Sequence, residues 1–265
     1  MVPLGIGGFI VVALLSMFTG IDFFSMLGGG SPSPDSSAVG TSGRSGVNAS
    51  PAEERMVDMV DAVARDAQET WRAKLGDRYQ ATRVVLFRDA IQSTCGYAGA
   101  ATGPFYCPGD RKVYLDLGFF DELQRRFGAP GDFAQAYVLA HEIGHHVQTI
   151  TGTEGQMRQM QRADPGSANA MSVRLELQAD CYAGVWGHDA AKAGRAAAGG
   201  VELDPGDYEE ALRAAAAIGD DRLQKLGTGR VMPEKFTHGS SEQRVTWFKR
   251  GFDSGDPRAC DTFSR

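Results

Sequence analysis

The pentapeptide His141-Glu142-Ile143-Gly144-His145 limits what the chain around it can be. For the two imidazoles to act together the segment has to be helical, because residues four apart lie one turn above each other on one face. At that spacing both rings can reach a single metal ion. Glu142 lies about 100° further round the helix, where it misses the ion but can reach a water beside it. The pattern therefore supplies two ligands and a base. The stretch 134–150 suits such a helix, since it has no proline and Gly144 is its one glycine. Gly131-Asp132 offers a start and Gly152 a stop. Gly144 weakens a helix by up to about 1 kcal/mol relative to Ala, so it is expected to serve a close approach near the metal.

A zinc ion that keeps one position open needs a third protein ligand. Glu176-Leu177-Gln178-Ala179-Asp180 places two carboxylates four apart, on one face of a helix expected over 167–191. Glu176 is the expected third ligand. Asp180 is then free to accept the other ring N–H of a ligand histidine and so orient it. Without the paired histidines, such a carboxylate pair would read as an exposed acidic face.

With these residues the chain resembles the bacterial neutral zinc metallopeptidases of the YpfJ type. The resemblance runs from about Glu54 to the C-terminus. It includes Ser93-Thr94-Cys95-Gly96, Gly103-Pro104-Phe105-Tyr106-Cys107-Pro108, Val113-Tyr114-Leu115-Asp116-Leu117, the 176–181 segment and Phe236-Thr237-His238-Gly239-Ser240. A more distant similarity is to the prenyl-protein endopeptidases, in which the glutamate of an E-x-x-x-D helix is the third zinc ligand and the aspartate supports a ligand. The resemblance implies one catalytic Zn2+, a peptide or protein substrate, and the same roles for Glu176 and Asp180 that their spacing suggests. It implies no particular substrate.

No charged side chain occurs from Val2 to Ile21, and about twenty apolar residues span a bilayer core. A cleaved signal peptide would have a basic start and a small-x-small cleavage site, and neither is evident. Residues 1–27 are therefore expected to form a transmembrane anchor. Residues 28–52, rich in Gly, Ser and Pro, are read as a flexible linker, and 53–265 as the metallopeptidase domain. The expected placement is the bacterial cell envelope, with the domain on the extracytoplasmic side. A net charge of −6 with no basic stripe argues against nucleic-acid binding.

Met56, Val60, Val63, Ala67, Trp71 and Leu75 recur at helical spacing and read as one buried stripe. Arg83–Phe87 and Val113–Leu117 read as strands. The second lies just upstream of the metal helix, so Val113, Tyr114 and Leu115 are candidates to pair with an extended substrate along a free edge. The competing reading is a strand paired on both sides. The four cysteines allow three pairings, which sequence alone does not decide. Loop closure favours Cys95–Cys107, leaving Cys181–Cys260. Disulfides place a domain outside the cytoplasm.

Asp204-Pro205-Gly206 opens a further helix that runs to about Ile218 and resumes through Leu226. Ser240-Ser241-Glu242-Gln243 is a capping box opening the last helix. Just before it, His238 is a candidate to face the metal and stabilise an oxyanion, with Arg244 shaping the pocket. His146 and His188 are expected to be structural, the alternative also open for His238. The expected fold is a mainly helical α+β, zincin-like domain with a small sheet. The expected function is hydrolysis of peptide bonds, with Glu142 as base. A membrane-tethered binding or chaperone-like module with a structural zinc is the alternative, and hydrolysis of another amide is a third reading.

Overall fold

The computed structural model describes residues 50–99, 102–125, 128–129 and 131–264. The expected anchor, and the linker up to residue 49, lie outside the described residues. Among those described, no helix is long and apolar enough to cross a membrane.

Helix α1, Pro51–Leu75, starts inside the expected linker. Ser50 Oγ accepts the Glu53 N–H while Glu53 Oε2 accepts the Ser50 N–H, and proline at the first helical position has no N–H left to satisfy. The expected stripe is buried along α1, with Val60, Val63, Ala67 and Trp71 in the main core.

Strands follow: β1 (Arg83–Phe87), β2 (Ala90–Ser93), β3 (Gly96–Gly99), β4 (Phe105–Cys107) and β5 (Lys112–Asp116). One sheet has the order β1-β5-β4, with β5 parallel to β1 and antiparallel to β4. Strands β2 and β3 form a separate antiparallel hairpin. The Cys95–Cys107 disulfide ties that hairpin to β4.

This order corrects the expected free edge at Val113, Tyr114 and Leu115. Strand β5 is the middle strand, bonded to β1 along its length and to β4 over residues 112–114. Its three residues are only 0–3% exposed. An unbroken apolar run suits a strand covered on both sides, and β1 and β4 are the outer strands of this sheet.

The remaining helices are α2 (Phe119–Arg125), α3 (Asp132–Thr151), α4 (Thr153–Ala163), α5 (Ala168–Ala190), α6 (Asp207–Ala217), α7 (Asp220–Thr228) and α8 (Ser241–Ser254). Helix α3 is central and packs on α1, α5 and α6. A Cβ at Gly144 would stand 3.1 Å from the Ala179 carbonyl, so this glycine lets α3 approach the helix carrying Glu176. Helices α5 and α8 approach as closely. A Cβ on Gly184 would collide with the Phe248 carbonyl, and one on Gly251 with the Cys181 carbonyl. The Cys181–Cys260 disulfide fastens the C-terminal segment to α5.

Candidate metal centre

Helices α3 and α5 bring His141, His145 and Glu176 together. His141 Nε2 lies 3.2 Å from Glu176 Oε2 and 3.2 Å from His145 Nε2, and His145 Nε2 is 3.6 Å from Glu176 Oε1. A tetrahedral zinc with bonds of about 2.0 Å has ligand–ligand edges of about 3.3 Å. The three side chains already stand at that separation.

The outer nitrogens determine which way the lone pairs point. His141 Nδ1 is 2.8 Å from Asp180 Oδ1, and an ionised carboxylate only accepts, so Nδ1 carries the proton. His145 Nδ1 is 2.8 Å from Gln148 Oε1. The Gln148 amide is oriented by Nε2, which donates to the Leu175 carbonyl at 2.7 Å and to Gln178 Oε1 at 3.1 Å. Its oxygen therefore faces the ring, and Nδ1 of His145 donates as well. Both Nε2 lone pairs consequently converge on the space beside Glu176. Two acceptors and a carboxylate gathered this way suit a cation, and the N2O donor set suits zinc.

The protonation equilibria have the same cause. Burial pushes His145 down, but the Glu176 and Glu142 carboxylates outweigh it and raise the ring to about 9. Burial pushes Glu176 up, and the charges of His145 and His238 hold it well below the usual carboxylate range. A proton at His145 Nε2 thus stands where a metal would bind. Glu142, 8% exposed, sits on α3 beside the ligands and outside their set, near enough to contribute to the His145 shift.

Behind His141, Asp180 is fully buried and completely engaged. Its Oδ1 accepts from Tyr137 Oη at 2.5 Å, His141 Nδ1 and Arg244 Nη2 at 2.8 Å, while Oδ2 accepts from Arg244 Nε at 2.9 Å. Arg244 also donates to the Ile218 carbonyl at 3.3 Å. This corrects the expected pocket role of Arg244. The side chain is 3% exposed and turned into the core, where it neutralises Asp180 instead of meeting a substrate. The guanidinium fork matches the carboxylate edge, which a lysine would not.

His238 lies in the loop before α8. Its side chain is 12% exposed and its charge couples to Glu176. The loop packs on α5, since a Cβ at Gly239 would lie 3.1 Å from Leu177 Cδ2. Burial lowers His238, and Glu176 together with Asp220 raises it above the ordinary histidine value. His146 is structural as expected, its ring nitrogens meeting Tyr106 Oη at 3.2 Å and the Gln80 carbonyl at 2.5 Å.

Three participants were not foreseen from the sequence: Tyr137, Gln148 and Asp220. Tyr137 and Gln148 carried a signal, because one precedes His141 by four residues and the other follows His145 by three, both on neighbouring helix positions. Asp220 is distant in sequence from everything it holds.

His141, His145 and Glu176 could hold one metal ion between two helices, with Glu142 beside them, a pattern that suits a zinc hydrolase. The family model described as "Putative neutral zinc metallopeptidase" matches residues 3–263. This chain belongs to that family. It is 45% identical over 269 aligned residues to the uncharacterized protein YpfJ of Escherichia coli K12, covering 99% of this chain and 88% of the relative. Over 209 residues it is 44% identical to the uncharacterized protein Rv2575 of Mycobacterium tuberculosis H37Rv, covering 77% and 70% respectively. No solved structure matches the chain.

Proposed function

We propose that the protein is a zinc-dependent peptidase that hydrolyses peptide bonds with Glu142 as general base. The observation that carries this reading is the convergence of His141 Nε2, His145 Nε2 and the Glu176 carboxylate at tetrahedral separations, with Glu142 beside them and outside the set. His141, His145 and Glu176 would hold one Zn2+. Bound there, zinc supplies a Lewis acid that acidifies water and polarises a carbonyl.

The chain's own groups do the rest. Glu142 accepts the proton of the attacking water and passes it to the departing amine. Asp180 and Gln148 hold the two rings by Nδ1, so that both Nε2 lone pairs stay aimed at one point. His238 donates to the oxygen that gains charge as the carbonyl carbon becomes tetrahedral. With β5 enclosed, the edge proposed for an extended peptide is that of β4, Phe105–Cys107, the edge strand that packs on α3. In our reading residues 1–27 anchor the protein in the bacterial membrane, supported by the uncharged stretch 2–21. The two disulfides support an extracytoplasmic domain.

The test is metal analysis of the purified chain, followed by peptide-library cleavage with the wild type and Glu142→Gln. One zinc in both, with cleavage by the wild type alone, is expected. A zinc-loaded wild type that cleaves nothing would overturn the hydrolytic reading in favour of a binding module.

A further inference from the structure

Asp220 is the first residue of α7, yet its carboxylate is directed away from its own helix. Oδ2 accepts three successive backbone N–H groups, from Thr237 and His238 at 2.7 Å and Gly239 at 3.1 Å. Oδ1 meets the His238 ring at Nδ1, 3.2 Å away. The Asp220 backbone N–H in turn donates to the Gly239 carbonyl at 2.9 Å. Asp220 is 4% exposed, so little water competes for these bonds. Anchoring the turn would need only the Oδ2 bonds. The contact to the ring adds something a turn does not require, because it fixes how His238 is rotated and which nitrogen must carry a proton.

The loop it grips lies on α5 at Leu177 and Val173, the two residues flanking the Glu176 turn. Nδ1 is engaged by Asp220 Oδ1 and also lies 3.0 Å from Thr237 Oγ1, so Nε2 is the nitrogen left for the metal face. We propose that Asp220 is a positioning residue for hydrolysis, acting through His238 by holding both its ring and its backbone. This rests on the reading of His238 given above, and it assigns Asp220 no contact with substrate.

Asp220→Asn separates the two duties. Its amide oxygen can still accept the loop N–H groups, while its NH2 replaces an acceptor at Nδ1 by a donor. The ring then loses the carboxylate that holds Nδ1–H, and only Thr237 Oγ1, 3.0 Å from Nδ1, is left to fix its rotation.

The test compares wild type, Asp220→Asn, His238→Ala and the double variant of the full chain, using fluorescein-labelled casein and zinc analysis. The expected result for Asp220→Asn is full zinc content, a kcat lower by about 10- to 100-fold, the range for groups that orient an active-site residue, and an unchanged KM. In the His238→Ala background the same substitution should add less than about twofold. Equal losses in both backgrounds, or an unaffected kcat, overturn the proposal. Impairment by His238→Ala with an unaffected Asp220→Asn defeats this inference alone. An unaffected His238→Ala, or a wild type without activity, defeats the reading beneath it as well. Should Asp220→Asn not fold, the 15N imidazole spectrum of the wild type decides, since Nδ1 of His238 must carry a proton and an unprotonated Nδ1 would refute the assignment.

Discussion

Replacing Arg244 by methionine should cost more stability than any exposed ion pair could explain. The substitution keeps most of the aliphatic volume and removes the guanidinium. Asp180 then remains fully buried, keeping the bonds from Tyr137 and His141 but losing both contacts from Arg244. Removing one partner of a buried ion pair costs about 3–5 kcal/mol, because the other charge is left uncompensated. Against a typical total of about 5–15 kcal/mol, that is a large fraction. Urea unfolding in the presence of chelator isolates this effect, since bound zinc would add its own stabilisation. Adding Asp180→Asn should recover part of the loss. The asparagine oxygen can stay at the Oδ1 position for Tyr137 and His141, with its amide in the space left by the guanidinium. A loss below about 1 kcal/mol for Arg244→Met, or a double variant less stable than the single one, would refute the idea that Arg244 exists to neutralise Asp180.

Other expectations concern the metal and the covalent framework. Glu142→Gln should retain zinc while losing about 10²- to 10⁴-fold in kcat, the range for a general base, and retained hydrolysis would remove Glu142 from that role. His145→Ala should lose zinc on dialysis, and metal retained at wild-type affinity would exclude it as a ligand. Because His145 titrates at about 9, a proton occupies its ligand nitrogen below that pH and must leave before zinc binds. Zinc affinity measured against a competing chelator should therefore rise with pH from about 6 to 8, by about tenfold per unit for each proton displaced; a flat profile would contradict the site. The Cys181–Cys260 bridge closes a separation of 79 residues and Cys95–Cys107 one of 12. Loop-closure entropy then predicts that serine pairs at the first cost about 4.5 kcal/mol and at the second about 3 kcal/mol, with the order of urea midpoints as the check.

What could be read in advance was whatever a local period or spacing encodes. The H-E-x-x-H and E-x-x-x-D spacings located both metal helices, and the observed α5, Ala168–Ala190, falls within a residue of its expected ends. The stripe from Met56 to Leu75, the β1 bounds and the Ser240 capping box were equally local. The pattern of β5 was ambiguous, because an apolar run cannot say whether both edges are occupied. That depends on β1 and β4, which belong to other parts of the chain. Arg244 was misplaced for a similar reason. On a helix of otherwise mixed polarity, nothing nearby shows that its fork faces Asp180 across a helix–helix contact. Helix α4 and the β2–β3 hairpin were not anticipated. Both are short elements whose cohesion comes largely from what they touch.

The division of the centre between early and late parts of the chain has a consequence for its fragments. His141, Glu142, His145, Glu176 and Asp180 emerge together, on two helices that lie against each other. Asp220, His238, Arg244 and Cys260 come only near the end. A chain cut before residue 220 would thus keep the proposed ligands but leave the buried Asp180 without its counter-charge. In our reading such a fragment carries the donors without the groups that make them a working site.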